Sequence, residues 1–133
     1  MLLLRKYTID EADRIRKFLD NECIEDLVLD GIVYVVIDSE ELVGVGKARP
    51  NKVSELDYLV IREDKRNQGL GDALLRALLN KLNNQGIEKI YYKTSNTYLM
   101  EKGFVLNDDN ELELNIPDFF IKACNSCGGC NEL

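Results

Sequence analysis

Gly69 and Gly71 stand one residue apart where the apolar stretch Leu59-Val60-Ile61 gives way to a helical pattern. A helix start presents backbone N–H groups without partners and carries partial positive charge, so it attracts anions. Glycines there let an anion approach the backbone closely. Arg62, Lys65 and Arg66 add cationic side chains beside the same point. The run Arg66-Asn67-Gln68-Gly69-Leu70-Gly71 therefore has the chemistry of a pyrophosphate cradle. The dinucleotide fingerprint needs glycine or alanine three residues after Gly71, where Leu74 stands. The P-loop needs Gly-Lys-Ser/Thr, and Gly71-Asp72-Ala73 does not supply it. Two glycines also suit a tight strand-to-helix turn, and the local residues leave both readings open.

Proton transfer must be managed without imidazole, because the chain has no histidine. That excludes the Ser-His-Asp triad, the Cys-His pair and His-ligated zinc hydrolases. Carboxylate, tyrosine, lysine, cysteine or water remain. Glu55 and Asp57 lie just before the glycine loop, two residues apart, and share a face of a regular strand.

The four cysteines divide unevenly. Cys23 stands alone at an apolar helical position and reads as a small core residue. Cys124, Cys127 and Cys130 form a C-x-x-C-x-x-C run that can reach one zinc ion or an iron–sulfur cluster, or cycle as a redox pair. A fourth ligand is not nearby, so a metal reading of these three is incomplete.

The 133-residue length suits one domain, and the net charge of −7 argues against nucleic-acid binding through a basic face. An acidic surface could attract a cationic amine, although it also serves solubility alone. No apolar run reaches the roughly 18 residues of a membrane span, and Met1-Leu2-Leu3-Leu4 is too short for a secretory signal. The expected location is cytoplasmic, with no membrane partner.

These residues need elements to hold them. Residues 2–7 read as a strand, followed by a helix capped at Thr8 or Asp10 with Ile9, Ala12, Ile15, Phe18 and Leu19 on its apolar face. Residues 21–30 can hold a second short helix. Ile32–Ile37 is continuously apolar and rich in β-branched residues, and reads as a strand buried on both faces. Strands over 41–49 and 53–61 complete a meander. Leu70, Ala73, Leu74, Ala77, Leu78 and Leu82 repeat at helical spacing, and 87–93 is the next strand. A strand, tight loop, helix and strand in that order form a parallel crossover unit. Residues 96–102 give a short helix, 104–106 and 111–116 a closing hairpin, and Pro117 ends the last strand before a tail.

The motif Arg66-Asn67-Gln68-Gly69-Leu70-Gly71 resembles the Gln/Arg-x-x-Gly-x-Gly/Ala pattern of the GNAT superfamily, the Gcn5-related N-acetyltransferases. Leu59 to Lys65 is similar to that family's fourth strand and the approach to its loop, and Lys102-Gly103-Phe104 to the Gly-Phe ending its late helix. The resemblance spans Leu2 to about Ile116. It implies an α/β (α+β) fold, with a mixed, strongly bent β-sheet flanked by helices in a single domain. The acyl-CoA N-acyltransferase domain is expected over 1–117 and a cysteine-containing tail over 118–133.

The resemblance also implies acetyl-CoA as co-substrate. Arg66, Asn67, Gln68, Gly69, Leu70, Gly71 and Asp72 would hold the pyrophosphate. Leu59, Val60 and Ile61 would pair with the pantetheine arm, and Asn96 would contact the cofactor. Glu55 stands eleven residues before Arg66, the offset of the catalytic glutamate in histone-acetylating members, so it is the expected base with Asp57 as substitute. The usual acid, a tyrosine four residues before the glycine of Gly-Phe, is replaced by Leu99, and Tyr98 is its neighbour. Tyr98, Tyr91, Tyr92 or water remain as proton donors. The acceptor is a small-molecule or peptide amine, and the protein a monomer or homodimer. The alternative is a catalytically weak acyl-CoA-binding sensor or regulatory module.

Overall fold

The computed structural model describes residues 2–26, 29–50 and 53–126, with only the backbone for 122–126. Seven strands, β1 (Leu2–Lys6), β2 (Ile32–Asp38), β3 (Glu41–Arg49), β4 (Glu55–Ile61), β5 (Lys89–Tyr92), β6 (Val105–Leu106) and β7 (Leu112–Asn115), form one sheet. Their spatial order is β1-β2-β3-β4-β5-β7-β6. All neighbours are antiparallel except β4 and β5. The helices are α1 (Ala12–Asn21), α2 (Leu70–Asn84), α3 (Thr97–Glu101) and α4 (Ile116–Ser126).

The apolar patterning decides the layers. Leu75, Leu78, Leu79 and Leu82 of α2 pack with Ala48, Leu56 and Ile90 on one side of the sheet. Ile15 and Leu19 of α1 pack with Val33, Val35, Val45 and Tyr58 on the other. β2 lies between the two layers, so its Val and Ile side chains are buried on both faces as expected, with Tyr34 among them partly buried. Each such buried side chain contributes about 1.5–3 kcal/mol relative to exposure. Gly46 of β3 lets α2 approach: a Cβ there would fall 2.9 Å from Leu78 Cδ1.

Three local expectations are corrected. Residues 22–26 leave α1 in a turn rather than a second helix, because Cys23 adopts φ 61°. Cys23 is exposed and is not a core residue. Pro117 does not open a tail but lies in the first turn of α4, where its missing N–H costs nothing. Asn115 Oδ1 accepts from the Asp118 N–H at 2.9 Å, and Phe119 and Phe120 pack against the core.

Two irregularities in β4 shape the site. Lys47 pairs with Tyr58 but Ala48 pairs with Leu56, so Asp57 is the extra residue of a β-bulge. The parallel seam with β5 consists of one rung, Glu55 opposite Tyr91, with the Tyr91 N–H bonded to the Ser54 carbonyl at 2.9 Å. Beyond that rung the two strands part.

Candidate active site

The parting opens into a cleft of about 790 Å³. Leu56, Leu59 and Ile61 of β4 form one wall, Lys65, Arg66, Asn67, Gly69, Gly71 and Asp72 the mouth. Tyr92, Asn96, Tyr98, Leu99, Glu101 and Lys102 form the opposite wall. A smaller cavity of about 500 Å³ adjoins it and shares Asp72, Glu101 and Lys102.

At the mouth, Asn67 and Gly69 both take positive φ, 65° and 79°, which turns the chain sharply from β4 into α2. The first bond of α2 runs from the Ala73 N–H to the Gly69 carbonyl at 3.1 Å. The N–H groups of Leu70, Gly71 and Asp72 precede it, so α2 itself offers them no acceptor. A Cβ built on Gly69 meets nothing within 4 Å, so the space over the helix start is open. This is a fitting seat for an anion. Gly71 answers a different need, because a Cβ there would lie 3.2 Å from the Tyr98 hydroxyl.

The flanking cations are already engaged. Arg66 donates Nε to the Ile61 carbonyl at 2.7 Å and Nη2 to Glu22 at 3.1 Å. Lys65 pairs with Asp38, and Arg62 with Asp64 and Glu41. Of the remaining cofactor candidates, Gln68 is exposed at the loop tip, while Leu70 is buried and Val60 packs with the α1 layer. Neither side chain therefore enters the cleft, and Val60 pairs with Val45 of β3 through its main chain.

The far wall is fastened to the start of α2. Tyr98 Oη donates to Asp72 Oδ1, and Lys102 Nζ lies 2.9 Å from Asp72 Oδ2 and 5.3 Å from the Tyr98 ring centroid. Burial pushes the Asp72 carboxyl up, but the hydrogen bonds from Tyr98 and Lys102 outweigh it and hold the group below the usual carboxylate range. Burial, with the bond to Asp72, pushes the Tyr98 hydroxyl well above its ordinary value. Asn96 caps α3, its Oδ1 accepting from the Leu99 N–H at 3.0 Å. Leu99 is buried in the core.

The carboxylates gather elsewhere. The bulge brings Glu55 and Asp57 to one guanidinium: Arg49 Nε lies 2.9 Å from Asp57 and Nη2 3.4 Å from Glu55. Lys47 Nζ is 3.7 Å from the other Asp57 oxygen, and Lys93 Nζ 4.0 Å from the other Glu55 oxygen. Only Leu56 between them lines the cleft. The sequence reading overlooked Lys47, Arg49 and Lys102. Lysine and arginine at alternate positions of an otherwise apolar β3 were a usable signal, since a charge inside a sheet needs a partner.

Cys127 and Cys130 lie outside the described residues, and Cys124 belongs to α4 by its backbone. Among the described residues no group of three His, Cys, Asp or Glu side chains could hold a metal ion, and no helix is long and apolar enough to cross a membrane.

A bent mixed sheet parted along its single parallel seam, with a helix start at the mouth, is the architecture of the acyl-CoA-dependent transferases that the glycine motif resembles. The chain belongs to the acetyltransferase (GNAT) family, whose model matches residues 3–101. The fold is also that of solved structures. An acetyltransferase of the GNAT family from Staphylococcus aureus Mu50 superposes with TM-score 0.70 at 17% identity, covering 87% of this chain and 99% of its own. The Escherichia coli GNAT family N-acetyltransferase YhbS, in complex with CoA, gives 0.72 at 19% identity over 88% and 82%. A Brucella melitensis family member in complex with acetyl-CoA gives 0.68 at 15% identity over 86% and 88%. No curated protein matches the chain in sequence.

Proposed function

We propose that the protein transfers an acetyl group from acetyl-CoA directly to a primary amine. The supporting observation is the single rung between β4 and β5, with the uncapped start of α2 at the open end of their parting. The N–H groups of Leu70, Gly71 and Asp72 would hold the pyrophosphate. The Arg62 N–H bonds to the Val43 carbonyl on β3, so Leu59 and the Ile61 N–H face the parting and can pair with the pantetheine amides, while Arg66 holds the Ile61 carbonyl. A β4 N–H in the same edge would stabilise the oxyanion that forms at the acetyl carbonyl.

In the transfer the amine nitrogen bonds to the carbonyl carbon and the C–S bond breaks. The proton lost by the amine goes to Glu55, directly or through water, and the departing sulfur takes one from water. Glu55 suits the role better than Asp57. Asp57 has both oxygens committed, the nearer at 2.9 Å, whereas Glu55 is held by longer contacts of 3.4 and 4.0 Å. Tyr98, whose hydroxyl is given to Asp72, holds the wall rather than the proton.

Calorimetry with acetyl-CoA, followed by release of free thiol with an amine panel, tests the reading. Absence of heat on folded protein defeats it. The burial of Leu99 where the family resemblance expects tyrosine supports a second reading, an acyl-CoA sensor. Heat without thiol release for any amine would favour that one.

A further inference from the structure

We infer that Lys47 is a positioning residue for the acceptor side of the site; the inference rests on the transfer reading above. Leu56, Leu59 and Ile61 of β4 line the cleft on the α2 side. With that side filled by the pantetheine arm, an amine must approach the thioester from the α1 side. Residues 22–26 and 29–30 border that side, running along β4 in the opposite direction. Glu22 meets Arg66 just beyond the end of β4 at 3.1 Å, and Asp26 accepts from the Tyr58 hydroxyl at its middle at 2.7 Å. Gly31 abuts Arg49, whose guanidinium holds Glu55 near its start.

Lys47 is the post to which this border is tied. It is only 3% exposed, near the end of β3. Its Nζ lies 3.0 Å from Asp26 and 2.6 Å from Asp30 on the border, and 3.7 Å from Asp57 on the strand carrying the proposed base. A buried ammonium is costly unless paired, and this one is paired with both elements at once. The same ion therefore sets the position of the border against Glu55. Its ion pairs with Asp26, Asp30 and Asp57 lie away from the glycine loop, on the acceptor side.

The test uses the full chain as wild type, Lys47→Met and Lys47→Arg. In Lys47→Met, CoA affinity by calorimetry is expected to stay within about twofold of wild type, while KM for an accepted amine, screened from cadaverine and a lysine-containing tripeptide, rises about tenfold or more. Lys47→Arg should recover part of that loss. Amide hydrogen exchange should quicken at 22–26 and 29–31 and stay unchanged at 66–72. If Lys47→Met does not fold, Asp30→Asn and Tyr58→Phe each remove one tether; the Asp30 side chain is 58% exposed, so its change is mild. Unchanged exchange at 22–31 overturns the inference whatever the kinetics, and so does a parallel fall in CoA affinity and amine KM performance. If wild type binds no CoA ester, the transfer reading fails and the assignment of Lys47 to catalysis fails with it. Exchange alone then reports whether the tether exists.

Discussion

Tyr98 gives its hydroxyl hydrogen to Asp72, and so joins α3 to the first turn of α2 across the outer edge of the cleft. The same carboxylate accepts from Lys102 at 2.9 Å. An acidic residue at a helix start is thus paired with one cation and one hydroxyl donor from the facing wall. If Tyr98 has this holding role, Tyr98→Phe should weaken CoA binding several-fold and leave kcat within about threefold. A general acid would instead cost about 10²-fold in kcat. Steady-state kinetics with separate CoA titration distinguishes the two.

Gly69 combines a φ of 79° with open space where its side chain would project. Gly69→Asp should put a carboxylate against the anion seat and weaken CoA binding by about 10²-fold or more, with backbone strain of about 1–2 kcal/mol. Gly69→Ala should show the strain without the charge effect. Calorimetry and urea melts on both variants check the separation.

Glu55→Gln should leave CoA affinity unchanged and lower kcat by about 10²–10³-fold. Asp57→Asn should act differently. It removes the nearer partner of Arg49 and a neighbour of buried Lys47, so the expected result is a stability loss of about 2 kcal/mol. A Glu55→Gln enzyme with wild-type rates would remove Glu55 from the chemistry.

Burial, and then the bond to Asp26, push the Tyr58 hydroxyl far above its ordinary value. The unfolded chain releases that proton near pH 10, while the folded chain keeps it. The folded state therefore binds more protons there, and stability is full below about pH 10 and falls as pH rises beyond it. Tyr58→Phe should lose about 1–2 kcal/mol at neutral pH and show a shallower alkaline decline. Urea unfolding across the alkaline range measures both.

The readable parts of the fold were those written in periodicity. The leucine spacing of α2, the β-branched run of β2 and the glycine pair at the loop depend on neighbours in sequence. The missed parts depend on partners far along the chain. Asp57 reaches the same guanidinium as Glu55, but only the pairing with β3 shows it to be the extra residue of a bulge. Cys23 sat at an apolar spacing, yet the backbone turned at it. The α4 start was more legible than it seemed, since Asn115-Ile116-Pro117-Asp118 is a cap followed by a proline at the first turn. Lys47 was visible as an oddity in β3, but only the structure shows which three carboxylates surround it.

The sheet is laced along every seam but one. Where β4 leaves β5 after Glu55 and Tyr91, main-chain donors and acceptors are left without a neighbouring strand. A molecule with its own amides could slot in as a missing thread, so the fold needs few dedicated side chains to grip it. The two plates of the sheet would then be stitched together by the guest, and the protein should be stiffest, and hardest to melt, when loaded.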